Sequence, residues 1–538
     1  MDVERRRERE KHVRESAYLA PPAMVAACTA RRSSGDWRGA CAAGHVDLHV
    51  DLRDVASRYG ADEAARIEAD LLGFAPDLLR LFAPRTDRLA LVPRAQIVLS
   101  RLATPFRMSS GWLRPATPVL VAALPDRPRG RQRIVLRVTG VGELRRSWYD
   151  LPDWCWHADA VAARRWAYGA SATRLAWHTA DGSPYPPGAP IPAEQPADRA
   201  AEVETISGLL GAKRWIEAYG AAGLTVDTTE PKSWYGGYPW RERELARLAV
   251  ELPVLVAEAR RLFHRYRRRS LHSASNLSRI ESPRDGGLTV RRITRDDQGG
   301  GPYAFGVRAP VDAALLRWGS LRADELHPLV HEALFPDRSQ TWSAPTQSAR
   351  PVIRVRCGSD WHVVDLVGGR IGTLRHTEEE IRREFVLASL GGPLSGCAAA
   401  VRAWRTGVTP VPKQIRLIRR DFFALAFHGD TDTLLGILAD GLDPGLRDGE
   451  GGTLLHWLHH LDHTRVLPFL VAAGLSVDER DRSGGTPSHR AAADGATEVM
   501  AALVAEGADP DAVDALGRTP DDLLAQFRKA TGRVAVNR

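Results

Sequence analysis

Residues that carry recognisable chemistry are scarce in this chain. Its five cysteines (Cys28, Cys41, Cys155, Cys357 and Cys397) are odd in number and far apart, which argues against a disulfide framework and leaves no CxxC pair. No cysteine–histidine cluster has ligand spacing, so neither a metal nor any other cofactor is expected. None of its five lysines (Lys11, Lys213, Lys232, Lys413 and Lys529) follows a glycine, so no GKS or GKT phosphate loop exists. No GxGxxG opens a helix after a strand, and kinase catalytic-loop phrases are absent. Around Ser395 the chain reads GPLSG, one residue out of register with a GxSxG elbow. No stretch stays apolar for the roughly 18 residues a membrane span needs. The opening MDVERRREREKHVRES lacks the apolar core of a secretory signal. These absences lead to the expectation of a cytoplasmic protein without a membrane partner, and more readily a non-enzyme than an enzyme.

What is present is a long chain with an uneven charge. At 538 residues and 44% hydrophobic, it has the length for two or more domains with ordinary cores. Residues 421–538 hold 10 basic and 19 acidic groups, a net −9, whereas the other 420 residues hold 64 and 47, a net +17. Such an acidic module beside a basic body suggests separate partners or a mutual attraction. The plainer reading of the arginines is a solvated surface.

The acidic end also repeats itself at a period of 33. Thr453, Thr486 and Thr519 fall in one register, His456 and His489 in another, and Gly441, Gly474 and Gly507 in a third. The phrases GGTLLHWL, GGTPSHRA and LGRTPDDL agree with one another, as do LADGLDP, VAAGLSVD and VAEGADPD. Thr486 suits a helix N-cap and Pro487 the first helical position, where a missing N–H costs nothing. His489 can hydrogen-bond within the turn and hold one repeat against the next. Ala491, Ala492 and Ala493 let helices approach, and the glycines suit a left-handed residue after a helix.

These residues resemble the ankyrin repeat, whose unit is 33 residues and whose signature phrase is TPLH. Ser488 stands where the family has a buried leucine, which the previous unit supplies as Leu455. Asp521 and Asp522 replace Leu and His in the last unit. The resemblance implies two full repeats flanked by two degenerate caps over 416–534, stacked as an all-α solenoid whose tips hold another protein. The tip residues taken as candidate contacts are Arg447, Glu450, Glu479, Arg480, Asp481 and Arg482. With the module at −9, a protein partner with a basic patch is the expected match. Further upstream, GDWRGACAAG, LHPLVHEALFP and GGPLSGC resemble the corresponding region of actinobacterial ankyrin proteins of no assigned activity.

The upstream residues read as a mixed α+β body. A charged and flexible segment is expected at 1–34, an α+β region at 35–180, a Pro-rich linker or loop at 181–198, and mixed helices and strands at 199–410. HVDLHVDLRDV (45–55) alternates as a strand, and a helix is expected over 61–82. On that strand His45, Asp47, His49 and Asp51 share a face that could hold a divalent ion, though the pattern is also that of an ordinary solvated strand. His327 and His331, beside Glu332, are spaced i, i+4 but in the order HxxxHE rather than HExxH. Trp148, Trp154, Trp156, Trp166 and Trp177 crowd one window, more in the manner of a core than of a ligand surface. RRLFHRYRRR (260–269) ends a helix with six arginines, and without a nucleic-acid fold around it no nucleic-acid partner is expected. The protein-interaction reading therefore leads. Its alternatives are an enzyme of unrecognised type with an ankyrin tail that anchors its substrate, and a nucleic-acid-associated factor.

Overall fold

The computed structural model describes residues 2–86, 89–101, 108–109, 112–113, 117–127, 130–144, 147–179, 182–185, 198–227, 245–246, 248, 251–272, 278–282, 286–292, 301–303, 310–338, 342–343, 353–367, 370–373, 376–406 and 413–536. The chain divides into two compact units, one of residues 1–128 with 133–347 and one of 348–538 with 129–132. Most of the expected Pro-rich linker at 181–198 lies outside the described residues.

The first unit is built on one mixed sheet. Its strands are β1 (Val46–His49), β2 (Gln96–Val98), β3 (Pro118–Ala123), β4 (Ile134–Gly140), β5 (Ser147–Asp150), β6 (Thr225–Val226), β7 (Ser270–His272), β8 (Ser278–Glu281), β9 (Thr289–Arg292) and β10 (Gly301–Tyr303). Their spatial order is β1-β4-β3-β2-β5-β10-β7-β8-β9-β6. Central strands are apolar on both sides because both faces are covered. Ile97, Leu99, Leu120, Ala122 and Leu136 pack on one side with Ile67, Leu71, Trp154 and Trp156. The alternate residues Val98, Val119 and Val121 pack on the other with Tyr219, Leu255, Leu262 and Tyr266. The tryptophan-rich window is thus largely core, with Trp148, Trp154 and Trp156 buried.

Three expectations change here. Residues 1–34 form helices α1 (Asp2–Leu19) and α2 (Pro22–Ser33) rather than a flexible segment. The reason is tertiary: Val13, Tyr18, Met24, Val25 and Cys28 are buried, and Arg9 reaches Glu325 at 3.1 Å. The strand expected over 45–55 ends at His49, because Asp51 accepts the Arg53 N–H at 2.8 Å and starts the helix Leu52–Tyr59. The helix expected over 61–82 is two, Ala61–Leu72 and Pro76–Phe82, with Pro76 at the start of the second.

The second unit begins well before the repeats. Strands β11 (Ile353–Cys357), β12 (Asp360–Val367) and β13 (Arg370–Thr373) form an antiparallel sheet, followed by α3 (Glu378–Ser389) and α4 (Gly396–Thr406). The repeat region follows as α5 (Lys413–His428), α6 (Thr431–Ala439), a 3₁₀ helix (Leu454–His460), α7 (His463–Ala472), α8 (Pro487–Ala493), α9 (Thr497–Ala505) and α10 (Pro520–Val536). One continuous core joins Val355, Cys397, Ala400 and Trp404 to Phe422, Leu434, Leu455, Leu467, Val499 and Leu503. The compact unit that carries the repeats thus begins at 348, upstream of the array expected from 416, and α4 packs into the same core as α5. Gly441, Gly474 and Gly507, with φ of 99°, 88° and 94°, close the outer helices in the left-handed conformation.

Candidate functional site

Two structural ladders run through the repeats. In the first, the Thr453 backbone N–H donates to His456 Nδ1 at 3.1 Å, and His456 Nε2 reaches the Gly485 carbonyl at 3.2 Å. One period later the Thr486 N–H donates to His489 Nδ1 at 3.1 Å, and His489 Nε2 reaches the Arg518 carbonyl at 2.8 Å. Each histidine accepts at one ring nitrogen from its own turn and donates from the other to the next repeat. In the last unit Asp522 takes over the capping of Thr519, accepting its N–H at 2.9 Å. Burial pushes the His456 imidazole below its ordinary range, and the Gly485 carbonyl opposes this only in part.

The second ladder builds the tips. Asp448, Asp481 and Asp514 stand 33 residues apart, and all three are buried. Asp448 Oδ1 accepts the Glu450 and Gly452 amides at 2.7 and 2.9 Å. Asp481 Oδ1 accepts those of Ser483 and Gly485 at 2.8 and 3.0 Å, and Asp514 Oδ1 those of Leu516 and Arg518 at 2.9 and 3.0 Å. The other carboxylate oxygen takes a side chain in each case: Trp457 at 2.9 Å, Arg490 at 2.8 Å and Arg518 at 2.6 Å. Burial works against the Asp481 charge, but the Ser483 hydroxyl and the Arg490 guanidinium outweigh it and lower its pKa. Hydrogen bonds from Arg518 hold the Asp514 carboxyl at about 2.

Neighbouring tips are stitched together by the candidate contact residues themselves. Arg447 donates to the Gly451 carbonyl of its own tip at 2.8 Å and to Arg480 of the next at 3.2 Å. Arg480 repeats this on Gly484 at 2.9 Å and Val513 at 2.6 Å. Arg482 bonds the Gly449 carbonyl at 2.8 Å, Glu479 pairs with Arg447, and Glu450 pairs with Arg490 at 2.6 Å. Glu450, Arg480 and Arg482 remain exposed while Arg447 and Glu479 are half-buried. Asp481 is a correction: it is buried and shapes the turn from inside, so it offers no face to a partner. The aspartate triple was readable as an Asp five residues before each Thr of the repeat, but the sequence reading passed over it.

Residues 422–514 match the family model for ankyrin repeats, in three copies. This is a C-terminal ankyrin array. Ankyrin repeats indicate protein–protein interaction in general. No curated protein matches the chain. No helix among the described residues is long and apolar enough to cross a membrane.

The upstream candidates disperse in the structure. Asp47 forms a bidentate pair with Arg133 at 2.6 and 3.0 Å, Asp51 caps a helix, and His45 precedes the strand at φ 56°. Burial and the charges of Arg80 and Arg133 push the His45 imidazole down to about 3. His327 is the cap of the helix Pro328–Leu334 rather than part of it, and its Nε2 lies 2.9 Å from the buried Asp77. His331 instead packs on Phe335. In the 260–269 run, Arg261 and Arg265 turn inward to Asp150, both at 2.8 Å, so two of its six arginines serve a buried network. Trp166 and Trp177 lie under Arg199 and Arg317, at 3.9 and 4.0 Å.

Among the described residues, groups of three or more side chains placed to share a metal ion lie only at Cys357, His362, His376 and Cys397 and at His459, His460 and Asp494. Both are in the second unit. The first group is one that ligand spacing in the sequence did not reveal. Its spacing, C-x4-H-x13-H-x20-C, matches no compact sequence template, and only the fold brings the four together. In the second, His459 Nε2 is already 3.1 Å from Asp494 Oδ2, an ion-pair geometry that needs no further ligand.

Proposed function

We propose that residues 413–536 form an all-α solenoid whose tips and adjoining inner helices hold a protein partner bearing a basic patch, with the upstream body as its carrier. The observation that carries this reading is the tip ladder. Buried aspartates and inter-tip arginines fix the backbone, so exposed residues such as Glu450, Arg482 and Leu516 are presented at set spacing. A preorganised edge spends less ordering entropy on binding. Residues 421–538 carry a net −9, which favours a basic surface opposite them.

The test is capture by the full-length chain, compared with a Glu450→Lys, Asp511→Lys variant at two exposed tip positions. Exposed rim charges act mainly on association rate. Capture by the variant should fall about threefold to tenfold at ~0.05 M salt and approach wild type by ~0.3 M, where the screening length drops below ~10 Å. Equal capture at low salt, with an unchanged circular dichroism spectrum, would refute the tip-charge reading.

A further inference from the structure

The small sheet and α3 bury little apolar surface among their described side chains. Among the described side chains of β11 and β12 only Val355 is buried, while Trp361 and Val363 are 63% and 39% exposed. Helix α3 buries none of its residues, and Val386 and Leu387 on it are half exposed. With so few of the described side chains buried, a further staple would add to the stability of these elements. At the place where their core would lie stand two cysteines and two histidines.

Each of the four is delivered by a separate element. Cys357 ends β11 and His362 follows early in β12, after the hairpin turn at Gly358. The antiparallel register pairs Cys357 with Asp360 and Val355 with His362, so Cys357 and His362 share one face as diagonal neighbours. His376 lies just before the capping box of α3, and Cys397 is the second residue of α4. Gly396 makes the approach possible. Its φ is 59°, and a Cβ there would come within 2.5 Å of Cys357 Sγ.

The ligand atoms form a compact set. Cys357 Sγ is 3.4 Å from His376 Nε2, His376 Nε2 is 3.0 Å from His362 Nδ1, and Cys397 Sγ is 3.6 Å from His362 Nδ1. All four lie within 4.8 Å of one another. A tetrahedron with Zn–S bonds of ~2.3 Å and Zn–N bonds of ~2.05 Å has edges of about 3.3 to 3.8 Å. The outer nitrogen of His376 lies 3.7 Å from Glu380, an ion-pair distance rather than a hydrogen bond.

We propose that Cys357, His362, His376 and Cys397 bind a zinc ion that closes the small sheet onto α4 and so braces the entrance to the ankyrin array. Soft thiolates with imidazoles in tetrahedral array select zinc over calcium or magnesium. On binding, the two thiols release their protons to solvent and two thiolates balance the dication, which leaves a neutral centre. All four positions are filled by protein, so the site is structural and leaves no place for an activated water.

Elemental analysis of the full-length chain, purified without chelator, should find ~1 equivalent of zinc, the stoichiometry of one closed site. Replacing it with cobalt should give the absorption of tetrahedral thiolate-ligated Co2+. The double variant Cys357→Ser, Cys397→Ser should lose both. Because that variant could misfold, the wild-type chain is also alkylated with and without a strong zinc chelator. Cys357 and Cys397 should become reactive only when the metal is removed. Absence of zinc and of the cobalt spectrum, alkylation unaffected by chelator, or a Cys357–Cys397 disulfide found by mass in the freshly purified chain would each overturn the proposal. Full zinc retention in the double serine variant would do so as well.

Discussion

Ser488 occupies the position at which the preceding repeat buries Leu455. It is 2% exposed, and its hydroxyl finds no hydrogen-bond partner among the described residues. A buried hydroxyl without a partner costs about 1–3 kcal/mol, and alanine is also a better helix former than serine by up to ~0.7 kcal/mol. Ser488→Ala should therefore stabilise the array by about 1 kcal/mol. In a unit of this size that corresponds to a rise of ~2–4 °C in the melting temperature of its transition, readable by calorimetry on the full chain. A fall would mean that the hydroxyl is satisfied in solution. The same exposure argument separates the tip residues that sequence reasoning grouped together. Glu450 and Arg482 lie open, whereas Asp481 accepts two tip amides from inside. Residue type and register were legible at all of these positions, but which way a side chain turns was not.

At the scale of the element, the Thr–His pair is a proton-sensitive joint between repeats. His456 accepts at Nδ1 from Thr453 and reaches the Gly485 carbonyl with Nε2, so the neutral tautomer with the proton on Nε2 fits both partners. Its pKa is depressed in the folded state by burial, so the unfolded chain takes up the proton first as pH falls. The stability tied to this group is complete above the unfolded value of ~6.5 and declines below it, by at most about 1.4 kcal/mol for each pH unit until the folded pKa is reached. Denaturation midpoints at pH 7.5 and 5 should show that decline in the wild type and a shallower one in His456→Gln. Identical slopes would remove His456 as a contributor. This joint was readable in advance because the period of 33 places Thr and His in fixed register, and cap chemistry is local. The zinc-ligand candidates were not readable for the opposite reason. Forty residues separate Cys357 from Cys397, and only the β11–β12 register and the start of α4 bring them together. The N-terminal helices were misjudged likewise, since the charged sequence of α1 conceals burial of Val13 and Tyr18 that only tertiary contacts supply.

At the scale of the whole molecule, the ankyrin array has no clean start of its own. Val355, Cys397, Ala400 and Trp404 belong to the same core as Ile415, Phe422 and Phe423, and Trp404 is 2% exposed. A fragment of residues 415–538 would keep every repeat but strip this packing from the first helix, α5. Deleting a single buried tryptophan side chain typically costs 3–5 kcal/mol, which is a large share of a domain's whole stability of roughly 5–15 kcal/mol. A fragment of 348–538 keeps the packing together with all four candidate zinc ligands. Urea unfolding followed by circular dichroism should therefore show one cooperative transition for 348–538. The shorter fragment should have a midpoint lower by ~1 M or more, given a slope of about 1–3 kcal/mol per molar urea. A zinc chelator should lower the midpoint of the longer fragment and leave the shorter one where it was. Equal midpoints for the two fragments would show that the repeats stand alone and that α4 only leans on them. A midpoint difference that the chelator leaves unchanged would assign the coupling to Trp404 and its neighbours rather than to a metal centre.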